Sequence, residues 1–294
     1  MILGGRREPF LAPCLATLEG VVDLLVVEVN GSCDDNVRDL EASALFRAGR
    51  LRHEAREFTS FAASRNHTLE LLPPGEGWIL KVDADEVHDP EALALVTRGL
   101  LPALPDAVGI LDAYVLQFMQ SFRYLTSVDR RHEFLVRRQP GLAFSGDVHE
   151  QLLGTRGRRL AAPYVYGHFG YVRDPAEVLD KWKHYATLGD GSYDPRELEQ
   201  AVAEGYLDEQ ASLCRPFRGR HPEALEPLRE ALEREAGHVA RFDRLMASRD
   251  PAPELPRARQ RLRILWRVLP LWLAVGRSGR GPLLDLVSRL FRSF

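Results

Sequence analysis

Trp78-Ile79-Leu80-Lys81-Val82-Asp83-Ala84-Asp85-Glu86-Val87-His88-Asp89-Pro90 holds a short apolar run that ends abruptly in three acids. Trp78 to Val82 is long enough for a buried strand, and Asp83, Asp85 and Glu86 follow at its carboxyl end. Asp89 then reads as the N-cap of a helix, with Pro90 at its first position. A strand that runs into acids and then a helix puts those acids on the sheet edge where ligands bind in open α/β folds. Two carboxylates two residues apart can share one hard cation, and Mg²⁺ or Mn²⁺ held this way also grips substrate phosphates. A plain polar turn after a strand is the competing reading.

The flanking chain alternates strand and helix. Met1–Leu3 reads as a very short strand, and Pro9–Glu19 as a helix with Phe10, Leu11, Leu15 and Leu18 on one side. Val21–Val29 is a nearly unbroken aliphatic run suited to a buried parallel strand. It ends in Asn30-Gly31-Ser32-Cys33-Asp34-Asp35-Asn36, a small polar loop that leads into an amphipathic helix. Leu51–Glu57 suggests another strand. Thr59–Leu72 suggests a helix with Phe61, Ala62, Leu69 and Leu72 inward and Arg65-Asn66 on its side, stopped by Pro73-Pro74-Gly75. After the helix that begins at Pro90 the pattern changes. Val108–Gln117, Glu133–Arg137 and Val148–Leu153 read as strands of a mixed or antiparallel extension, and a helix starts at Asp174-Pro175. The expectation is an α/β fold: a mixed, mainly parallel sheet flanked by helices, with an α-helical C-terminal extension. No dinucleotide-binding glycine fingerprint or P-loop follows any strand.

Composition narrows the class. The 294 residues are 45% apolar and 28% charged, which suits a soluble globular chain of one large domain with an appendage. A net charge of −3 offers no electrostatic footprint for nucleic acid, so none is expected as a partner. Lys81, Lys181 and Lys183 are the only lysines. Cys14, Cys33 and Cys214 are too scattered for a zinc knuckle or a disulfide framework, which points to a reducing compartment. No signal-peptide pattern opens the chain, and no apolar run approaches the roughly 20 residues of a spanning helix. A cytoplasmic location is expected.

Five segments in order resemble the family 2 glycosyltransferases of GT-A fold. They are Asn30-Gly31-Ser32-Cys33-Asp34, Phe61-Ala62-Ala63-Ser64-Arg65-Asn66, Trp78–Glu86, Gly146-Asp147-Val148-His149-Glu150, and His168-Phe169-Gly170-Tyr171. The last two are similar to segments of a bacterial branch that builds lipopolysaccharide core and other envelope glycans. The resemblance covers residues 1–188 and implies a nucleotide-sugar-binding catalytic domain there, with 189–294 as the helical extension. It implies transfer, with inversion, of a sugar from a nucleotide donor, UDP-linked by preference, to a glycan or lipid-linked acceptor. Asp85 would hold the metal on the donor diphosphate, Asp83 would reach the ribose or the metal, and His168 would complete the metal site. Ser32, Asp34 and Arg65 would surround the nucleotide, Asn30 or Asp34 would cover the base contact, and Asn66 would either touch the ligand or hold the loop. Glu150 is the first choice as general base and Asp147 the second. The chain departs from the family pattern at Val29, where an Asp is usual, and in its short first strand.

The C-terminal third reads as helices: Pro195–Gly205, Leu207–Cys214, Pro222–Ala236 and Val239–Ala247, then a Pro251–Pro256 linker. Residues 257–294 carry nine arginines against one acid, Asp285, interleaved with leucines and tryptophans. Such a tail can lie in an anionic membrane interface on the inner leaflet, or cover the sheet with its arginines facing water. Two further functions stay open. One is a non-catalytic nucleotide-sugar or glycan binder of the same fold. The other is a metal-dependent phosphohydrolase built on Asp83, Asp85 and a histidine.

Overall fold

The computed structural model of the chain describes residues 1–4, 6–31, 34–127, 131–147, 150–188, 199–200, 213–248, 265, 268–275 and 277–292. Strands β1 (Ile2–Leu3), β2 (Leu25–Asn30) and β3 (Leu51–Arg56) form a parallel sheet in that order. All six residues of β2 are buried, which is why its sequence is aliphatic without alternation. Helices α1 (Leu11–Leu18), α2 (Asp34–Ala42), α3 (Ala44–Arg47) and α4 (Phe61–Glu70) connect and flank these strands. α1 buries Leu11, Cys14, Leu15 and Leu18, as its periodicity predicts.

A second sheet of seven strands carries the site. β4 (Trp78–Leu80) and β5 (Glu86–Val87) precede the long β6 (Val108–Met119), followed by β7 (Tyr124–Ser127) and β8 (Arg131–Arg137). β9 (Ala143–Ser145) and β10 (Gln151–Leu153) make a separate hairpin, and β11 (Arg158–Tyr171) and β12 (Arg215–Pro216) complete the set. The order is β12-β7-β6-β11-β5, with β8 joining β6 to β4. Only β6 and β11 run parallel here; the other pairings are antiparallel. The fold is therefore the expected mixed α/β class, but not a mainly parallel one: the parallel pairs are confined to β1, β2 and β3 and to β6 with β11, and the other pairings among the described residues are antiparallel.

Several elements differ from the sequence reading. Trp78–Leu80 is a half-buried strand that pairs antiparallel with β8 alone, rather than a buried parallel strand. Its exposed flank is occupied by the Arg137 guanidinium, 4.7 Å from the Trp78 ring. β11 is fourteen residues long although Pro163 sits inside it. A register shift between Ala161 and Val165 takes up the proline, which cannot donate to the ladder. On α4 the buried residues are Ala62, Ser64, Arg65 and Thr68, while Phe61, Leu69 and Leu72 are only half-buried.

Asp89 caps α5 (Pro90–Ala94) by accepting from the amides of Glu91 (2.9 Å) and Ala92 (3.0 Å). The helix runs on as a π-helical turn, Leu95–Leu100. Asp174 caps α6 (Pro175–Thr187) in the same way. α7 (Glu226–Glu235) and α8 (Gly237–Ala247) follow, then helical residues 268–274 and α9 (Arg277–Arg292). Leu225, Leu228 and Leu232 pack as the predicted stripe against Phe10, Phe118, Phe122 and Phe169. Val268, Leu271, Val275, Leu283, Leu286 and Leu290 join the main core beside Leu93, Val96 and Leu100, so one face of the tail covers the fold. Residues 195–198, 201–212 and 251–256, where further helices and a linker are expected, lie outside the described residues. No helix among the described residues is long and apolar enough to cross a membrane.

Candidate functional site

Beyond β4 the chain makes a tight turn in which the Glu86 amide donates to the Asp83 carbonyl (3.1 Å), and then enters β5. β5 pairs with β11 so that Glu86 faces His168. The Phe169 amide donates to the Asp85 carbonyl (2.9 Å) and fixes the acid there. Two groups result, each pairing acids with cations. In the first, Asp83 pairs with the buried Arg65 of α4, whose Nε donates to Glu150 Oε1 at 3.1 Å. Lys81 Nζ lies 3.6 Å from the same Glu150 oxygen. In the second, Asp85 Oδ2 accepts from Lys181 Nζ (3.3 Å), and Asp85 Oδ1 lies 3.5 Å from His168 Nε2.

Gly170 makes the second group possible. A methyl at that position would strike the Asp85 carboxylate and come within 2.9 Å of His168 Cε1 and 3.0 Å of Lys181 Nζ. Gln117 on β6 sits 2.8 Å from His168 Nδ1, a contact whose donor and acceptor follow the imidazole tautomer. On the outer side, Glu8 accepts from Arg173 and from the Phe10 amide. Phe61 stands edge-on to Tyr185 of α6 (5.9 Å), and Lys181 lies 5.7 Å from the Tyr171 ring and 6.0 Å from that of Tyr185. The charged floor thus has an aromatic wall.

The electrostatics follow from this packing. Partial desolvation opposes the charge of the half-exposed Asp83, but Arg65 and Lys81 overrule it and hold the carboxyl below the usual carboxylate range. Burial likewise opposes Asp85, and His168 and Lys181 bring it below its ordinary value. For Glu86 the opposing influences, the Asp83 amide and Arg65, are too weak. Burial, and then the charge of Asp83, raise it well above the carboxylate range, while it accepts from the Asp83 amide at 2.9 Å. Burial lowers His168 against the pull of Asp85, which favours the neutral imidazole. Burial would discharge Lys181, yet Asp85 raises it and keeps it an ammonium ion.

A divalent cation fits part of this arrangement. Asp85 Oδ1 and His168 Nε2 converge, and with the imidazole proton on Nδ1 and the Gln117 amide turned to offer its oxygen there, carboxylate oxygen and imidazole nitrogen are a donor set that Mn²⁺ or Mg²⁺ accepts. Asp83 is turned to Arg65 instead. Among the described residues no three His, Cys, Asp or Glu side chains gather as a ready metal site. A cation would take Asp85 and His168 and complete its shell from substrate phosphate and water, as Mg²⁺ sites commonly do.

The remaining predicted residues divide. Asn30 ends β2, buried, and with its amide turned so that the nitrogen faces these acceptors it donates to Glu28 Oε1 (2.8 Å) and the Arg56 carbonyl (3.2 Å). Asp34 is exposed at the start of α2, and Ser32 and His149 lie outside the described residues. Asn66 does not face the site. Its amide brackets Phe144, accepting from that residue's N–H (2.7 Å) and donating to its carbonyl (2.9 Å), and so pins β9 to α4. Asp147 is exposed. Val29 points into the core, while Glu28 is buried with Oε2 lacking a hydrogen-bond partner. Lys81, Lys181 and Gln117 escaped the sequence reading as site residues. Two of the chain's three lysines stand in this cluster, and that scarcity was the available signal.

No family model matches the chain, and no curated protein matches it. Among solved structures, it is similar to the mannosyltransferase PcManGT from Pyrobaculum calidifontis in complex with GDP-Man and Mn²⁺. The identity is 16% over 98% of this chain and 85% of that one, with a TM-score of 0.40, too distant to transfer any residue role.

Proposed function

We propose that this chain is a metal-dependent glycosyltransferase of GT-A type that moves a sugar from a nucleotide donor to a glycan or lipid-linked acceptor. In this reading residues 1–188 form the catalytic unit and 189–294 its helical extension. The observation that carries it is the meeting of Asp85 with His168 and Lys181 beyond β4, beside Asp83 with Arg65. Acids and cations alternate there in one cluster, which suits a nucleoside diphosphate accompanied by a divalent metal. Mg²⁺ or Mn²⁺ on Asp85 and His168 would neutralise charge on the departing diphosphate. Arg65 offers a planar fork to a phosphate or ribose oxygen, and Lys181 a point charge on the other side. Asp83 is 41% exposed and can reach a ligand without leaving Arg65. The wall of Phe61 and Tyr185 gives a sugar ring an apolar face to lie on.

Single displacement with inversion needs one base on the acceptor hydroxyl. Glu150 and Asp147 are the candidates. Glu150 is engaged by Arg65 and Lys81, whereas Asp147 faces solvent three residues earlier. Glu150→Gln and Asp147→Asn separate the two. Loss of the base lowers turnover by about 10²–10⁴-fold at unchanged nucleotide affinity. Loss of a residue that only holds Arg65 weakens nucleotide binding as well.

Calorimetric titration with UDP, with Mn²⁺ and then with EDTA, tests the main reading. Binding should require the metal and vanish in Asp85→Ala, and incubation with UDP-sugar and acceptor should release free UDP. GDP and the other nucleoside diphosphates follow if UDP is silent, and silence from all of them would sink the proposal. Binding without turnover would favour a nucleotide-sugar receptor of the same fold. The ion-paired Glu150 and the core-facing Val29 speak for that second reading.

A further inference from the structure

The C-terminal helical segment is apolar on two sides, and the fold uses one of them. Val268, Leu271 and Val275 go into the main core. Leu269 and Leu273, one turn apart, remain 42% and 74% exposed, and the preceding Leu265 is 45% exposed. On α9 the same split recurs. Leu283, Leu286 and Leu290 are buried, while Leu284 is 56% exposed between Arg277 and Arg280 on the outer face. The Arg280 guanidinium lies 5.6 Å from the half-buried Trp272 ring, which joins the two outer faces into one surface. A solvent-facing helix in a free-standing protein carries polar residues on that side. Here the side carries leucines, with a tryptophan and arginines beside them.

We infer that this surface, Leu265, Leu269, Leu273 and Leu284 with Trp272, Arg277 and Arg280, docks on an anionic lipid bilayer. The chemistry of the patch selects that occupant. Leucines of an amphipathic helix enter the acyl boundary, tryptophan settles at the headgroup level, and arginines meet anionic headgroups. Residues 257–294 hold nine arginines and a single acid; Arg289 pairs with Asp89 and Glu91, while Arg277 and Arg280 stand exposed on this face and give it a charge that suits a negative surface. An apolar protein partner would leave those arginines unanswered. The helix lies flat, because its opposite face is committed to the core. The inference stands independently of the glycosyltransferase reading.

Co-sedimentation of the full chain with large vesicles tests it, using phosphatidylcholine alone and with phosphatidylglycerol added. Anionic vesicles should bind the protein, neutral ones should bind it at least about tenfold less, and added salt should weaken the binding. Leu269→Glu/Leu273→Glu should lower the partition coefficient by about tenfold or more. Both positions are solvent-facing, so the variant should keep its circular dichroism and melting behaviour. Arg277→Ser/Arg280→Ser should abolish the preference for anionic lipid while leaving residual binding. The proposal is overturned if the parent ignores anionic vesicles, or if the leucine variant binds them as well as the parent does. It is also overturned if the parent sediments as a dimer that the leucine variant dissociates and neither form binds lipid, which would assign the patch to a second copy.

Discussion

Helices α4 and α9 each press one face against the fold, and the two faces are opposite in kind. α9 buries Leu283, Leu286 and Leu290, beside Leu93, Val96 and Leu100. α4 buries Ser64, Arg65 and Thr68 with Ala62, and its arginine spans Asp83 and Glu150. Burying a leucine stabilises a fold directly, whereas burying an ion pair roughly breaks even against desolvation. α4 thus contributes a charge at a fixed place rather than core energy. Violations of the ordinary inside-outside rule are expected where a site is being built. The apolar tail helix and the polar-faced α4 divide the work of stability and of chemistry between them.

The largest effect should come from the stabilising side of that comparison. Leu286→Ala leaves a cavity at a position with no exposure and should cost about 2–5 kcal/mol in denaturant unfolding. Nucleotide binding measured in the cold should persist. Loss of binding at unchanged stability would break the division of labour. Arg65→Met probes the other helix and should cost about 3 kcal/mol, near the lower end for a broken buried pair, because the partly exposed Asp83 can turn to water. Adding Glu150→Gln should recover part of that loss, since the second carboxylate then needs no cation, while nucleotide affinity stays lost. Full recovery of affinity would show that Arg65 is structural alone.

What could be read in advance follows the same line. Elements with local signals were legible: the aliphatic run of β2, and the Asp89-Pro90 and Asp174-Pro175 caps that open α5 and α6. β11 was missed as a strand. Its partner β6 lies some fifty residues earlier in sequence, Arg158 pairing with Val108, and Pro163 interrupts the period that would announce a strand. For α4 the apolar residues Phe61, Leu69 and Leu72 suggested the inner face, but distant carboxylates reward burial of Arg65 instead. In the site Asp83 meets Arg65 and Asp85 meets His168, residues that only the family resemblance, and no sequence spacing, had grouped. Lys181 reaches Asp85 from 96 residues away, Gln117 is 51 residues from His168, and no local pattern marks either contact. Asn66 shows the converse. It sits inside a motif-like segment yet holds a backbone.

His88 offers the smallest and sharpest test, since it lies between the two regimes, three residues past Asp85 but inside the aromatic core. Its Nδ1 meets the Tyr164 hydroxyl at 3.0 Å, its ring packs on Tyr166 and Phe134, and Nε2 has no hydrogen-bond partner among the described residues. Burial pushes its pKa down to about 3. In the unfolded chain the imidazole takes a proton below about pH 6.5, while in the folded protein it stays neutral down to about 3. The unfolded state therefore binds more protons across that window, so stability rises with pH through it and is complete above the unfolded value. At pH 5 the folded protein should have lost about 2 kcal/mol relative to pH 7 through this group alone. Glu86, whose raised pKa acts in the opposite direction, is common to parent and variant and cancels in their difference. Denaturant titrations of the parent and His88→Leu at pH 5 and pH 7 should show the variant's pH dependence flattened by that amount. Equal slopes would mean that the core around Tyr164 opens to water and admits the imidazolium. The boundary between the apolar core and the charged cluster would then lie closer to Leu93 than the packing of His88 places it.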